Sequence, residues 1–213
     1  MTRLILVRHG ESYANRRRIY VGHTDVELEE NGFAQARLTA EYIAEHYKVD
    51  AVYASDLRRA FCTGKCISDR LGLPITPDRE LREIYAGEWE NVPFEELAIR
   101  HADTYSVWKN DIGHCACPGG ETVAELAERV YAELQRIALL HDGETVVCAS
   151  HATPLRAMQA LVTYGTLDRM KDVPWATNAS VSVLVYDGGS WHYELISHDE
   201  HLGDCRIPAK GKA

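Results

Sequence analysis

Leu4-Ile5-Leu6-Val7 opens the chain as four consecutive aliphatic residues and stops abruptly at Arg8-His9-Gly10-Glu11. A short apolar run bounded by turn residues predicts a strand buried on both faces. The form recurs twice: Ala51-Val52-Tyr53-Ala54 runs into Ser55-Asp56, and Thr145-Val146-Val147-Cys148-Ala149 runs into Ser150-His151-Ala152. Elsewhere the apolar period is three or four. Phe33, Ala36, Ala40, Ile43 and Tyr47 predict a helix over 33–46. Phe61, Ile67 and Leu71 predict a second over 57–71, capped by Ser55-Asp56 and ended by Gly72 and Pro74. A Thr122/Glu125 capping box precedes the stripe Val123, Leu126, Val130, Leu134, Ile137. Thr153-Pro154 opens a fourth helix, with Pro154 suited to its first position. Val181, Val183 and Val185 alternate before Asp187-Gly188-Gly189, which predicts a β-hairpin through Ile196. Tyr20 to Asn31 reads as a loop punctuated by Gly22, and the last dozen residues read as a tail. Thr76 to Gly120 is the least regular stretch and predicts a partly helical excursion over the carboxyl edge of a sheet.

Composition narrows the class. The 213 residues are 46% hydrophobic and 26% charged, which suits a globular domain. The formal net charge of −9 argues against nucleic-acid partners and against broad attraction to anionic membranes. No apolar run approaches the ~18 residues of a membrane helix, and Met1 to Val7 is too short for a signal peptide. A cytoplasmic protein is expected, with its six cysteines as free thiols. Nothing in the sequence specifies an oligomeric state.

The chemistry sits where the apolar runs end. If the three strands are parallel, Arg8, His9, Arg58 or Arg59, Ser150 and His151 converge on one sheet edge. Gly10 permits a tight turn there and a close backbone approach to a ligand. Such a pocket suits a phosphoryl group, because guanidinium forks match phosphate oxygens. Backbone N–H groups near Ala152 and the Asn15 amide add donors. A neutral imidazole attacks phosphorus if one ring nitrogen is free and the other is hydrogen-bonded. Neighbouring guanidinium groups keep such a ring neutral. Glu83, in the excursion, is the candidate proton donor to the leaving alcohol.

Leu6-Val7-Arg8-His9-Gly10-Glu11-Ser12 with Asn15 resembles the opening of the histidine phosphatase superfamily, which includes the cofactor-dependent phosphoglycerate mutases. The resemblance continues in Ser55-Asp56-Leu57-Arg58-Arg59-Ala60, in Leu81-Arg82-Glu83-Ile84 with Gly87-Glu88-Trp89-Glu90, in Pro118-Gly119-Gly120-Glu121-Thr122 and in Ser150-His151-Ala152. His198 to Leu202 resembles the C-terminal signature more weakly. The resemblance implies a three-layer α/β fold, a mainly parallel central sheet with helices on both faces, spanning 1–213 as one domain. It implies His9 as the phosphorylated nucleophile. Arg8, Arg59 and His151 would bind the phosphoryl group, helped by Asn15 and the Ala152 N–H, with Gly22 beside the substrate. Arg59 is chosen over Arg58 because it directly precedes the alanine. Glu83 would be the acid, then the base that activates water. No cofactor and no metal is implied, and the partner is a small phosphorylated metabolite.

Three departures stand out: Asn91 where a glycine usually follows Trp-Glu, Leu28-Glu29 where Leu-Thr is common, and Gly64 in place of a common alanine. The mutases carry a longer, more basic insertion between Glu83 and His151. Here that stretch holds only Arg100, Lys109, Arg129 and Arg136, the last two assigned to the long helix, which favours a hydrolase. By size and motif wording the chain resembles the small phosphatases, including those of the α-ribazole phosphatase type. The alternatives are a mutase and a non-catalytic phosphate-binding module. Tyr85, Trp89, Phe94, Tyr105 and Trp108 read either as a wall for an organic leaving group or as packing for the excursion. His114-Cys115-Ala116-Cys117 with His101 is a weak metal-ligand pattern, set against chance loop composition.

Overall fold

In the computed structural model, which describes residues 1–207, β1 (Thr2–Arg8) sends Leu4 and Leu6 into one core cluster and Ile5 and Val7 into another. All four are at most 1% exposed. Alternate side chains serve opposite faces, so a doubly buried strand reads as an unbroken apolar run. Each such burial contributes about 1.5–3 kcal/mol.

The chain continues through α1 (Tyr13–Arg17), β2 (Ile19–Tyr20), α2 (Glu30–His46), β3 (Ala51–Ser55), α3 (Arg58–Leu71) and β4 (Ile75–Asp78). Two 3-10 turns, Arg79–Leu81 and Gly87–Trp89, lead to β5 (Val92–Pro93), α4 (Phe94–Arg100) and α5 (Ala102–Asn110). Then come α6 (Val123–Leu140), β6 (Thr145–Ser150), α7 (Ala152–Tyr164), β7 (Val181–Asp187) and β8 (Ser190–His198).

The main sheet has the order β4-β3-β6-β1-β7-β8. Its first four strands are parallel, whereas β7 runs antiparallel to β1 and to β8. Arg8 lies opposite Ser150 and Ala54 opposite Ala149, so the carboxyl ends of β1, β3 and β6 share one edge, as expected. Ala40, Ile43 and Ile67 of α2 and α3 close one face. Val130, Leu134, Ile137 and Met158 of α6 and α7 close the other. This is the three-layer, mainly parallel α/β architecture. Outside it, β2 pairs antiparallel with β5 and ties the segment after β1 to the excursion. Among the described residues, no helix is long and apolar enough to cross a membrane.

Several local expectations need correction. Ser55-Asp56 does not cap α3: its N-cap is Leu57, with no side-chain cap, while Asp56 pairs with Arg82 at 2.5 Å and Ser55 turns to His151. Pro154 is the third residue of α7, which begins at Ala152. Its missing N–H is still one of the first-turn orphans. Within the expected irregular stretch, β4 is a strand, and its Pro77 is tolerated because β4 is a sheet edge. Helix α1 has its own Ser12/Asn15 capping box. The expected tail is in part packed: Glu200–Cys205 forms a 3-10 segment, Leu202 is buried, and Gln35 donates to the Cys205 carbonyl. The remainder of that tail, 208–213, lies outside the described residues.

The aromatic residues of the excursion mostly pack it. Trp89 is fully buried and meets Tyr20, Tyr105 and Trp108 edge-on at 5.4, 6.1 and 5.9 Å between centroids. Phe94 packs on Tyr20. Only Tyr85 is exposed, at 45%, beside His23.

Candidate active site

His9 follows the last residue of β1 and is 4% exposed. Its Nδ1 lies 2.7 Å from the Gly10 carbonyl oxygen, an acceptor only, so Nδ1 carries the proton and Nε2 keeps its lone pair. The turn is held by the Gly10 N–H, which donates to Thr63 Oγ1 on α3. A side chain at Gly10 would strike the Gly32 carbonyl of α2 at 2.4 Å. The close approach that glycine permits is therefore to the protein's own helix. Burial, then the charges of Arg59 and Arg8, hold the His9 ring well below its ordinary pKa, against the pull of the Gly10 carbonyl.

Arg59 occupies the first turn of α3 and is 1% exposed. It donates to the carbonyls of Gly22 and Thr24 at 2.8 and 3.0 Å. Arg58 faces away and pairs with Glu27 in the open. The choice of Arg59 is thus a matter of burial as well as motif. Arg8 donates to the Ala176 carbonyl, and its buried Nε has no protein partner. Burial draws Arg8 down to about 10, which leaves it charged at neutral pH. His151, fully buried at the N-cap of α7, lies edge-on to His9 with 5.1 Å between centroids. Its Nε2 meets Ser55 Oγ at 2.8 Å and its Nδ1 has no protein partner.

Glu83 is 8% exposed, and its carboxylate accepts the N–H groups of Ile84 at 2.9 Å and Thr153 at 3.3 Å. It therefore sits at the N-terminus of α7. Burial raises its pKa, and the Ile84 N–H, Arg59 and Thr153 offset that only in part. A carboxyl so placed holds a proton more readily than a free one.

The remaining sequence-predicted residues divide. Asn15 accepts from Ser12 N–H at 3.1 Å and from Asn178 Nδ2 at 3.1 Å through its oxygen, so its amide N–H groups are the end left to donate. Ala152 is the first residue of α7, and its N–H is a helix orphan. The expected free donors near it are reduced, because Glu83 takes the Thr153 N–H. Gly22 is engaged within the protein: its N–H goes to Glu90 and its carbonyl to Arg59.

Three residues escaped the sequence reading. Glu90 accepts the N–H groups of Gly22, His23, Thr24 and Ala86. Burial pushes its carboxyl up, but those bonds hold it below its ordinary range. It thereby shapes the loop whose carbonyls grip Arg59. Asn178 donates to the carbonyls of His9 and Gly10. Ser55 orients His151. Glu90, inside the Trp-Glu motif, and Ser55, at the head of the Ser-Asp-Leu-Arg-Arg motif, carry a signal in the sequence, and Asn178 carries none.

The departures have physical readings. Asn91 has φ +63°, a left-handed position that suits glycine and that asparagine tolerates. At Gly64 a Cβ would approach Ala54 Cβ to 2.9 Å, so α3 lies closer to the sheet than alanine allows. Glu29 is the N-cap of α2 without a side-chain cap, and it pairs with Arg16 and Arg17 instead. Arg16 and Arg17 thus lie on a solvated face. As for the metal pattern, His114 lies between Asp111 and Asp168, and burial raises the Cys115 thiol to about 11. Among the described residues, no group of three or more His, Cys, Asp or Glu is arranged to hold a metal.

Comparison with known proteins agrees with this architecture. Residues 4–199 match the histidine phosphatase superfamily (branch 1). The chain is 32% identical to phosphoglycerate mutase-like protein 4 of Arabidopsis thaliana, covering 94% of this chain and 88% of that one. It is also 32% identical to phosphoserine phosphatase 1 of Hydrogenobacter thermophilus, covering 98% of each. Among solved structures, YhfR of Bacillus stearothermophilus superposes with a TM-score of 0.90 at 28% identity, over 95% of this chain and all of that one. The α-ribazole phosphatase of Shigella flexneri gives 0.81 at 26% identity, over 92% and 96%. With two histidines and two arginines at the sheet edge, a glutamate of the excursion beside them, and a match over residues 4–199, the chain belongs to the histidine phosphatase superfamily.

Proposed function

We propose that the chain hydrolyses small phosphomonoesters through a phosphohistidine on His9. One observation carries the reading: the buried His9 ring spends its Nδ1–H on the Gly10 carbonyl and keeps a bare Nε2 beside Arg8 and Arg59. In the first step Nε2 attacks phosphorus. The P–N bond forms as the P–O bond breaks, and the Glu83 carboxyl gives its proton to the leaving oxygen. In the second, the Glu83 carboxylate takes a proton from water as the water oxygen attacks phosphorus. The P–N bond breaks, and inorganic phosphate leaves. Arg8, Arg59 and His151, with Asn15 and the Ala152 N–H, stabilise charge on the equatorial oxygens. In this reading 1–213 acts as one domain, with the excursion over the pocket. Gly22 contributes by holding Arg59.

The phosphoserine phosphatase relative supports a small phosphorylated metabolite as substrate. A mutase needs cations over the pocket for a second phosphate. Here Arg100 pairs with Glu96, Arg136 with Glu133, and Arg129 with Glu121, while Lys109 is exposed on α5. That supports hydrolysis. The test is release of phosphate from an aryl phosphate: His9→Ala is expected to lose about 1000-fold or more, and activity within about tenfold of wild type overturns the nucleophile assignment.

A further inference from the structure

Glu83 stands on backbone that belongs to no ladder or helix. Four consecutive carbonyls lead to it, and each is taken by a side chain. Arg129 Nη1 donates to Glu80 at 2.7 Å and to Arg82 at 3.0 Å. Ser150 Oγ donates to Leu81 at 2.7 Å. Glu83 itself accepts from Arg129 Nη2 at 2.8 Å and lies 2.9 Å from His23 Nε2.

Arg129 lies in the second turn of α6, and its remaining donors go to Glu121. Nε reaches Oε1 at 2.6 Å and Nη2 reaches Oε2 at 3.0 Å. All five guanidinium N–H groups are thus spent. Glu121 then grips the far side of the acid: its carboxylate accepts the Tyr85 N–H at 3.0 Å, and its own N–H donates to the Tyr85 carbonyl at 2.8 Å. The pair is only 18% and 15% exposed. Arg129 and Glu121 together hold the chain immediately before and after Glu83 against a rigid helix. A lysine has one charged nitrogen and cannot span three carbonyls and a carboxylate.

We infer that Arg129, seated on Glu121, is the positioning residue for the Glu83 carboxyl, setting where its proton meets the leaving oxygen. The inference rests on Glu83 as the proton donor. Arg129 spends its donors on backbone carbonyls and on Glu121, so its loss displaces the acid without removing it. A displacement of about 1 Å costs up to about 100-fold in a step that depends on alignment. That loss falls on alkyl phosphates, whose leaving oxygen must be protonated. Aryl phosphates, which leave with little proton assistance, escape most of it.

The experiment compares kcat/KM for an alkyl phosphate and for p-nitrophenyl phosphate in the full-length chain, below the melting temperature of each variant. Kinetics are taken for Arg129→Lys, Glu121→Gln, Glu83→Gln and the Arg129→Lys/Glu83→Gln double variant. Arg129→Lys is expected to lose about 10- to 100-fold on the alkyl ester and less than about threefold on the aryl ester. On the alkyl ester it should add nothing to Glu83→Gln, because both act on one proton transfer. Glu121→Gln should show the same split more weakly, and it carries the test if Arg129→Lys does not fold. Equal losses on both esters, or losses that multiply with Glu83→Gln, overturn the positioning role. If Glu83→Gln itself shows no split between the esters, the acid assignment falls and this inference with it.

Discussion

At the sheet edge, His9, Arg59 and His151 stand at the ends or starts of elements that ladder and helix bonds already fix. Across the pocket, Glu83 and Glu90 stand between Leu81 and Val92, where only the 3-10 turn Gly87–Trp89 interrupts the coil. The edge holds its cations by burial against carbonyls, as Arg59 does against Gly22 and Thr24. The excursion's carboxylates accept from backbone N–H groups, several of them far away in sequence, as Glu90 does from Gly22, His23 and Thr24 and Glu83 from Thr153. The difference separates two tasks. Binding a phosphoryl group demands fixed charges in fixed places, which regular elements supply. On the proposed reading, delivering a proton to the leaving group falls to the irregular segment.

That division can be broken at several points. Arg59→Ala removes edge charge needed by every substrate, so kcat/KM should fall about 100- to 1000-fold for alkyl and aryl phosphates alike. A loss confined to one ester class would erase the distinction. Glu83→Gln, on the excursion, should lower kcat/KM by about 100-fold for alkyl phosphates and far less for aryl ones. Its pH signature has a definite sign. The folded pKa of Glu83 is raised, so the acid form is present at low pH and lost as pH rises through that value. The alkyl profile should therefore carry a descending alkaline limb that Glu83→Gln abolishes. The same raised pKa means that ionising Glu83 costs the folded state. Stability is full below the unfolded pKa and declines as pH rises through the folded one. Thermal melts of Glu83→Gln should then match or exceed wild type above neutral pH, and a lower melting temperature there would contradict the burial argument. Trp89→Ala should change catalysis least per folded molecule and stability most, by about 3–5 kcal/mol in denaturant titration, since the indole is the centre of the excursion's packing.

The edge was legible in the sequence; of the excursion, its partly helical character was legible, as α4 and α5 bear out, but the bonds that hold it were not. Apolar runs such as Leu4 to Val7 mark strands, and parallel strands bring Arg8, His9 and His151 together without any knowledge of distant contacts. Glu83 could be singled out by motif, but its surroundings depend on Arg129, 46 positions away, and on the Thr153 N–H, 70 away. No local period encodes such bonds. Asn178 and Ser55 went unread as functional because each acts through a backbone carbonyl or a second side chain. β4 went unread because Pro77 argues against a strand except at an edge, and edge position is a property of the whole sheet.

The most direct test follows the phosphoryl group itself. In Glu83→Gln, an aryl phosphate should still transfer phosphorus to His9, but water should be activated slowly, so the adduct accumulates. Rapid mixing with a 32P-labelled aryl phosphate and alkaline quench should trap an acid-labile phosphoryl group on His9, formed with a burst of the aryl alcohol approaching one per chain. Steady turnover with neither burst nor adduct would contradict the account.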